Sequence, residues 1–361
     1  MKVYLFNRGK DKNIGDTLIS EVISHLLAQE GCQITTNPYY SLPKGLFGKL
    51  IIHIQSYAQD IINVFKNNIT VIGGGNLIMD SSAFGASWAI HHFWLSILNL
   101  LFGKKYYYLC VGVAPLKTNL AKKLYRFTVR HATKIAVRDT FSQKYLRDLS
   151  GKDDILVWFD PVLLISTIYP KNSSPLGKKK NIGICPIQLY PAISSNLRIY
   201  QKYVTLQVKL IEYFVQEDFT VHFFLNDPEI DKKVYADILK QLPETIVPKI
   251  CGFEFIPSPK DYLELIQSLD FLISSRMHAI ITATSYRKPT IGFGWQPKMQ
   301  YFYQDLNLEG HIALLNKLQS NATVEEIVFE TIQLYEKLHN TSPTIPRLTL
   351  NLKEFLNLKT T

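Results

Sequence analysis

Residues 271–293 read FLISSRMHAIITATSYRKPTIGF, and the order of residue types in this stretch decides the fold. Phe271 to Ser274 is a short apolar run of the kind that forms a buried strand. A helix follows from Ala279 to Tyr286, and after Lys288-Pro289 a second strand is expected from Thr290 to Phe293. Strand, helix and strand in this order make a βαβ unit, and such units build parallel sheets with helices on their faces.

The same alternation extends outward in two cycles. In the first, strands are expected at Val3 to Phe6, Gln33 to Thr36, Ile69 to Ile72, Tyr106 to Val111, Lys134 to Val137 and Ile155 to Trp158, with helices between them. From Thr167 to Lys180 the pattern lapses into Pro, Ser, Asn, Gly and Lys, which is linker chemistry. The second cycle has strands at Asn181 to Cys185, Thr220 to Leu225, Ile246 to Cys251, Phe271 to Ser274 and Thr290 to Phe293. Its helices are expected at Leu197 to Val215, Tyr262 to Gln267 and Val324 to Leu338. A chain of 361 residues is long for one compact domain. We therefore expect two doubly wound, Rossmann-like α/β domains facing each other across a cleft, in the manner of the GT-B-like glycosyltransferase fold. They would cover residues 1–168 and 169–340, followed by a tail, 341–361, whose short amphipathic stretch can pack back on the first domain.

The composition is that of a folded protein, 47% apolar and only 19% charged. A net charge of +10 favours an anionic partner without choosing among a phosphorylated metabolite, an acidic glycan, a membrane face and nucleic acid. No zinc finger, RNA-binding aromatic signature or long basic helix supports nucleic acid. Lys178-Lys179-Lys180 falls in the linker and reads as a solvated charge run. Cys32, Cys110, Cys185 and Cys251 are far apart and show neither metal spacing nor a disulfide framework; Cys110 and Cys185 sit in buried-strand runs. Met1 to Phe6 alternates as a strand and lacks a charged region followed by an apolar signal core, so a cytoplasmic location is expected. Trp88 to Phe102, interrupted by His91, His92 and Asn99, is shorter than the roughly twenty residues that span a bilayer. It reads as a buried helix, with a helix lying on a membrane surface beside Lys104 and Lys105 as the alternative.

Ligands of open α/β sheets bind beyond the carboxyl ends of the strands, so residues that follow strands are the candidates. After the first strand, Asn13-Ile14-Gly15-Asp16 offers a tight turn at Gly15 and, at Asp16, either a helix N-cap or a proton acceptor. After the third, Gly73-Gly74-Gly75-Asn76 reads as a strand-to-helix turn, either purely structural or open to close approach of a ligand to backbone amides. Its spacing is neither a dinucleotide fingerprint nor a P-loop, which argues against a dehydrogenase. The strongest candidate is Ser274-Ser275-Arg276-Met277-His278, where a strand gives way to a helix. Arg276 is a fork of donors for phosphate or carboxylate, the helix start adds amides and positive dipole, and His278 can act as an acid once an anion is bound. The plainer reading makes Ser a cap and leaves Arg276 and His278 exposed by chance. Arg138, after the strand Lys134 to Val137, and Lys298, after Gly292 to Pro297, are expected at the same strand edges, as ligand contacts or as surface charges.

Taken in order, Asn13-Ile14-Gly15-Asp16, Gly73-Gly74-Gly75-Asn76, Arg138-Asp139 with Ser142, Asp160-Pro161, Ser275-Arg276-Met277-His278 and Lys298 resemble the pattern of the polysaccharide pyruvyltransferase family, over roughly residues 3 to 310. Lys288-Pro289-Thr290 and Tyr301 to Leu308 look similar to its later blocks. The resemblance implies the two-domain transferase fold, phosphoenolpyruvate as donor substrate with no further cofactor and no metal, and an oligosaccharide or polysaccharide acceptor, soluble or lipid-linked. It places the family's Arg-x-His element on Arg276 and His278, with Met277 where Leu is common, and the Arg of its Arg-Asp element on Arg138. On that reading His278 protonates the donor, Arg276 and Arg138 offset its charge, and Asp16 is the base. Asn13, Gly15, Gly73, Gly74, Gly75, Asn76, Ser275 and Lys298 complete the binding surface. A lipid-linked acceptor would bring the enzyme peripherally to the inner face of the cytoplasmic membrane.

Two rival readings use the same residues differently. A nucleotide-sugar glycosyltransferase of the same fold would hold a diphosphate with Arg276 and Lys298. A non-catalytic glycan-binding or assembly protein would bind its glycan without Arg276 and His278.

Overall fold

The computed structural model describes residues 1–9, 13–37, 46–80, 86–171, 180–191, 193–256, 258–345 and 348–358, without the side chains of 46–53. Most of the expected linker, with Lys178 and Lys179, lies outside the described residues. The chain divides into two compact units: one is Met1–Asp11, Asp16–Pro161 and Leu348–Thr361, the other Lys12–Gly15 and Val162–Arg347.

In the first unit, β1 (Lys2–Phe6), β2 (Gln33–Thr36), β3 (Ile69–Ile78), β4 (Lys105–Val113), β5 (Lys134–Val137) and β6 (Ile155–Val157) form a parallel sheet in the order β2-β1-β3-β4-β5-β6. Its helices are α1 (Ile14–Gln29), α2 (Leu46–Lys66), α3 (Ser87–Leu101), α4 (Asn119–His131) and α5 (Thr140–Ser150). The second unit begins with α6 (Ile165–Ile168) and contains β7 (Asn181–Cys185), α7 (Leu197–Gln216), β8 (Thr220–Phe224), α8 (Pro228–Gln241), β9 (Ile250–Phe253) and α9 (Pro259–Ser268). It continues with β10 (Phe271–Ser274), α10 (Met277–Ser285), β11 (Thr290–Phe293), α11 (Pro297–Asp305), β12 (His311–Ile312), α12 (Leu314–Gln319) and α13 (Val324–Leu338). These strands form a second parallel sheet, ordered β12-β11-β10-β7-β8-β9. In each sheet the strand order reverses at a central pair, β1 and β3 in one and β7 and β10 in the other, which opens a crevice at the carboxyl ends of those strands.

The glycine run departs from expectation. β3 does not turn at Gly73 but continues to Ile78, with Gly73 opposite Leu109 and Gly75 opposite Val111 on β4. The glycines are needed because α1 lies directly on the strand: a Cβ on Gly74 would stand 1.9 Å from Ile19 Cγ2, and both Gly74 and Gly75 have φ of +74°. Only glycine adopts that backbone without strain. The expected strand from Ile246 is also corrected, since Val247–Lys249 is a 3₁₀ turn and β9 starts at Ile250. Pro248 has no N–H to give to a ladder.

The polar residues that interrupt the apolar run of α3 face inward. His92, Ser96 and Asn99 are fully buried, and Asn99 accepts from Thr70 Oγ1 at 2.9 Å, while Leu101 is 75% exposed. Among the described residues no helix is long and apolar enough to cross a membrane. The cysteines are free, three of them buried. After the second unit, α14 (Leu352–Leu356) joins the first: Phe355 lies 4.8 Å from the Trp158 ring and 5.8 Å from the Tyr107 ring, and Lys134 Nζ donates to the Glu354 carbonyl at 2.8 Å.

Candidate active site

The switch point of the second sheet holds the Arg-x-His element. β10 ends at Ser274, whose Oγ accepts the Arg276 N–H at 2.9 Å, so the chain turns sharply and α10 starts at Met277, two residues before the expected Ala279. Arg276 is the extended N-cap, and His278 sits in the first helical turn. Ser275, expected on the binding surface, is buried: its Oγ is 2.8 Å from Tyr203 Oη, and its carbonyl accepts from Trp295 Nε1 at 3.0 Å. Lys298, at the start of α11, rests its ammonium 5.2 Å from the centre of the Trp295 ring.

Arg276 is held from the side by Asp231, in the first turn of α8. Its Nε donates to Asp231 Oδ2 at 2.7 Å and its Nη2 to Oδ1, while Oδ1 also accepts the Gln188 N–H at 2.8 Å. Asp231 is 0% exposed. Burial pushes its carboxyl up from the ordinary aspartate value, opposed by the Arg276 guanidinium. For Arg276 burial acts against the charge, but Asp231 outweighs it and holds the guanidinium protonated. This side-on pair engages one edge of the fork, and among the described residues no hydrogen bond from Nη1 is seen.

Residues 13–15 cluster with this unit. Asn13, rather than Asp16, occupies the cap position of α1: its Oδ1 accepts the Gly15 N–H at 2.9 Å and its Nδ2 lies 3.4 Å from Asp227 Oδ2. Asp227 itself caps α8, and Asn226 beside it accepts from Tyr262 Oη at 3.0 Å. Gly15 packs flat against the catalytic candidate, since a Cβ there would fall 2.0 Å from His278 Nδ1 and 2.3 Å from its Cγ. The site thus needs glycine at 15 for His278 to lie where it does.

In the first unit the other expected residues gather at the β1–β3 switch point and the edge beside it. Asp16 is the third residue of α1, not its cap; it is almost buried, lies 3.7 Å from Arg8 Nε, and stands over Gly75, whose absent Cβ would be 3.0 Å from Asp16 Oδ1. Arg138, expected at this edge as a donor contact or a surface charge, is buried. Its side chain is 2% exposed and donates to Asp160 from Nη1 at 3.0 Å and to Asn76 from Nη2 at 2.6 Å, while Asp139 lies 3.5 Å from Nε, which has no hydrogen-bond partner among the described residues. Asp139 also caps α5 by accepting the Ser142 N–H at 2.7 Å, and Ser142 Oγ accepts the Val113 N–H at 3.0 Å. Gly112 admits this cluster, because a Cβ there would lie 2.6 Å from Arg138 Nε and Asn76 Oδ1.

Sequence reasoning did not find Asp231, Asn226, Asp227, Tyr203 or Trp295. Asp227-Pro228 is a cap followed by proline, a pattern that announces α8. Nothing local signals that Asp231 pairs with an arginine 45 residues away.

Two parallel Rossmann-like sheets in one chain, with an arginine and a histidine at the first turn beyond a central strand, define a two-domain α/β enzyme of GT-B-like fold. The chain matches the polysaccharide pyruvyl transferase family over residues 13–297, and it belongs to that family of transferases. No curated protein matches it. Its fold is similar to that of the UDP-GlcNAc 2-epimerase of Methanocaldococcus jannaschii, at 12% identity over 96% of this chain and 94% of that one, with a TM-score of 0.60. It is likewise similar to the UDP-GlcNAc 2-epimerase of Neisseria meningitidis, at 14% identity over 95% of both chains and a TM-score of 0.57. For a putative UDP-N-acetylglucosamine 2-epimerase of Listeria monocytogenes the values are 11%, 96% and 92%, and 0.61.

Proposed function

We propose that the enzyme transfers a pyruvyl group from phosphoenolpyruvate to two hydroxyls of one sugar in a surface polysaccharide or its precursor, forming a cyclic ketal and releasing phosphate. The observation that carries this reading is Arg276 at the N-cap and His278 on the first turn of α10, Arg276 fixed side-on by buried Asp231 and His278 seated against Gly15. The Nη1 edge of the fork, which Asp231 does not engage, and the amides at the helix start suit the donor's carboxylate or phosphate.

In the first step His278, as imidazolium, gives its proton to the methylene carbon, which becomes the methyl group. A sugar hydroxyl adds to the neighbouring carbon and loses its proton to a base, for which Asp16 is the candidate. A second hydroxyl of the same sugar then displaces phosphate from that carbon and returns a proton to the imidazole, closing the ring. Arg276 offsets the negative charge of donor and leaving group, with Lys298 as a further contact and Arg138 as a residue that shapes the first unit. The test is phosphate release from phosphoenolpyruvate with a panel of soluble and lipid-linked oligosaccharides. Acceptor-dependent release that disappears in His278→Ala supports the reading; turnover of a uridine or guanosine diphosphate sugar, with phosphoenolpyruvate left intact, sinks it.

A further inference from the structure

The amino-terminal end of the second sheet carries a separate feature. β10 runs over only four residues, Phe271–Ser274, so at ~3.3 Å per residue its two ends are roughly 10 Å apart. Arg276 and His278 lie past the carboxyl end; a cavity of about 550 Å³ opens beside the other, in front of Asn181, Phe271 and Pro289. Four cationic side chains, Lys171, Lys180, Arg287 and Lys288, line it, with Asp270 as the one carboxylate.

Lys288 is the unusual member. It is 7% exposed, and its ammonium donates to the Leu269 carbonyl. Burial, reinforced by neighbouring Lys171 and opposed by Asp270, lowers its pKa to about 8. Asp270 accepts the Asn181 N–H at 2.8 Å. Among the described residues, none of Lys171, Lys180 and Arg287 forms an ion pair. A buried ammonium with like charges around it and, among the described residues, no carboxylate within ion-pair distance is a destabilising arrangement unless an anion completes it. Along one side Tyr335 and His339 stack 5.1 Å apart at 22°, a flat wall beside the cations.

We propose that this cavity is a second anion site, built for a phosphoryl group carried by a small solute or by a lipid headgroup. Lys288 supplies the charge at its base and Lys171, Lys180 and Arg287 the charges at its rim. It is independent of the Arg276–His278 site and of the reaction proposed there.

Equilibrium dialysis of radiolabelled inorganic phosphate against the whole protein, Lys288→Met and Arg276→Gln tests the assignment. Expected is a phosphate site that weakens at least tenfold in Lys288→Met and persists within about twofold in Arg276→Gln, which removes only the phosphate held at the Arg276–His278 site. Should Lys288→Met fail to fold, the exposed rim gives a second test. Arg287→Gly, at a φ of +56° that glycine adopts freely, keeps the fold and is expected to weaken phosphate binding several-fold. Co-sedimentation with phosphatidylcholine vesicles containing phosphatidate separates the sources: association lost in Lys288→Met assigns the headgroup, and phosphate binding without association assigns a soluble ligand. Phosphate binding that is absent, or unchanged by both Lys288→Met and Arg287→Gly, overturns the proposal.

Discussion

Arg138 and Arg276 both follow a strand of a parallel sheet, and in the sequence they look equivalent; the structure treats them differently. The Arg138 guanidinium donates to Asp160 from Nη1 and to Asn76 from Nη2, its Nε lies 3.5 Å from an Asp139 oxygen without a hydrogen bond, and its side chain is 2% exposed. Arg276 is gripped along one edge by a single carboxylate, and its side chain keeps 13% exposure. A guanidinium has five N–H donors in a fixed fork, and the side chain of each of these two arginines makes two hydrogen bonds among the described residues, so what separates them is enclosure. Arg138 is enclosed within its own unit, whereas Arg276 is aimed by Asp231 and left partly open.

The largest effects should separate the two roles. Arg276→Lys keeps a cation opposite Asp231 but removes the planar fork, and turnover should fall by about 10² to 10³ with little change in the urea midpoint. His278→Ala should lower turnover by a similar or larger factor, about 10² to 10⁴, again with the fold intact. Equal losses of stability and turnover in either variant would mean that this pair is structural.

Arg138→Ala should act the other way. It strands Asp160, 3% exposed, and Asp139 without their cation, and losing one partner of a buried pair destabilises by roughly 3–5 kcal/mol. Urea unfolding should show that loss, while the fraction still folded turns over within tenfold of the parent. A turnover defect beyond that at unchanged stability would restore Arg138 to the donor site and break the comparison.

The contrast was only half legible in the sequence. Strands such as Gln33–Thr36, Lys134–Val137 and Phe271–Ser274 stand at their expected positions because short apolar runs between turn signals are local information. The turn after β10 was legible for the same reason. What failed was non-local. Three consecutive glycines signal an absent Cβ, but not whether the space serves a turn, a ligand or, as at Gly74, the side chain of Ile19 from α1. Asp16 resembled a cap because the sequence does not show that Asn13 already fills that role. Asp231 was missed because its partner lies across the sheet rather than one helical turn away. β12, with two residues, is too short to have a period.

Two glycines sharpen the distinction at smaller magnitude. Gly74→Ala drives a methyl into Ile19 at a φ of +74°, and overpacking with left-handed strain should lower stability by about 2–4 kcal/mol. Gly15→Ala meets the His278 ring and also its Cβ at 2.6 Å, which ring rotation cannot relieve, but at an ordinary backbone φ, so a shift of the helix start costing about 1–3 kcal/mol is expected from urea unfolding. The turnover order should be reversed: Gly15→Ala shifts the proposed acid and should reduce turnover more per folded molecule than Gly74→Ala does. The same order in both measurements would detach Gly15 from the site.

Lys288 extends the comparison to a buried cation with neither arrangement. Burial and Lys171 lower its folded pKa to about 8 from an ordinary 10.5, with Asp270 pulling the other way. Between those two pH values the unfolded chain carries a proton on this lysine that the folded chain has largely released. Stability therefore rises with pH across that window, and below it the full penalty of the buried charge is present. Urea midpoints measured from pH 8 to 10 should climb more steeply in the parent than in Lys288→Met, which has no ammonium to release. Arg276, held charged by Asp231, gives no such slope. Saturating phosphate favours the charged lysine and should flatten the parent's slope toward that of Lys288→Met; a slope that phosphate leaves unchanged would mean that the anion does not sit against Lys288.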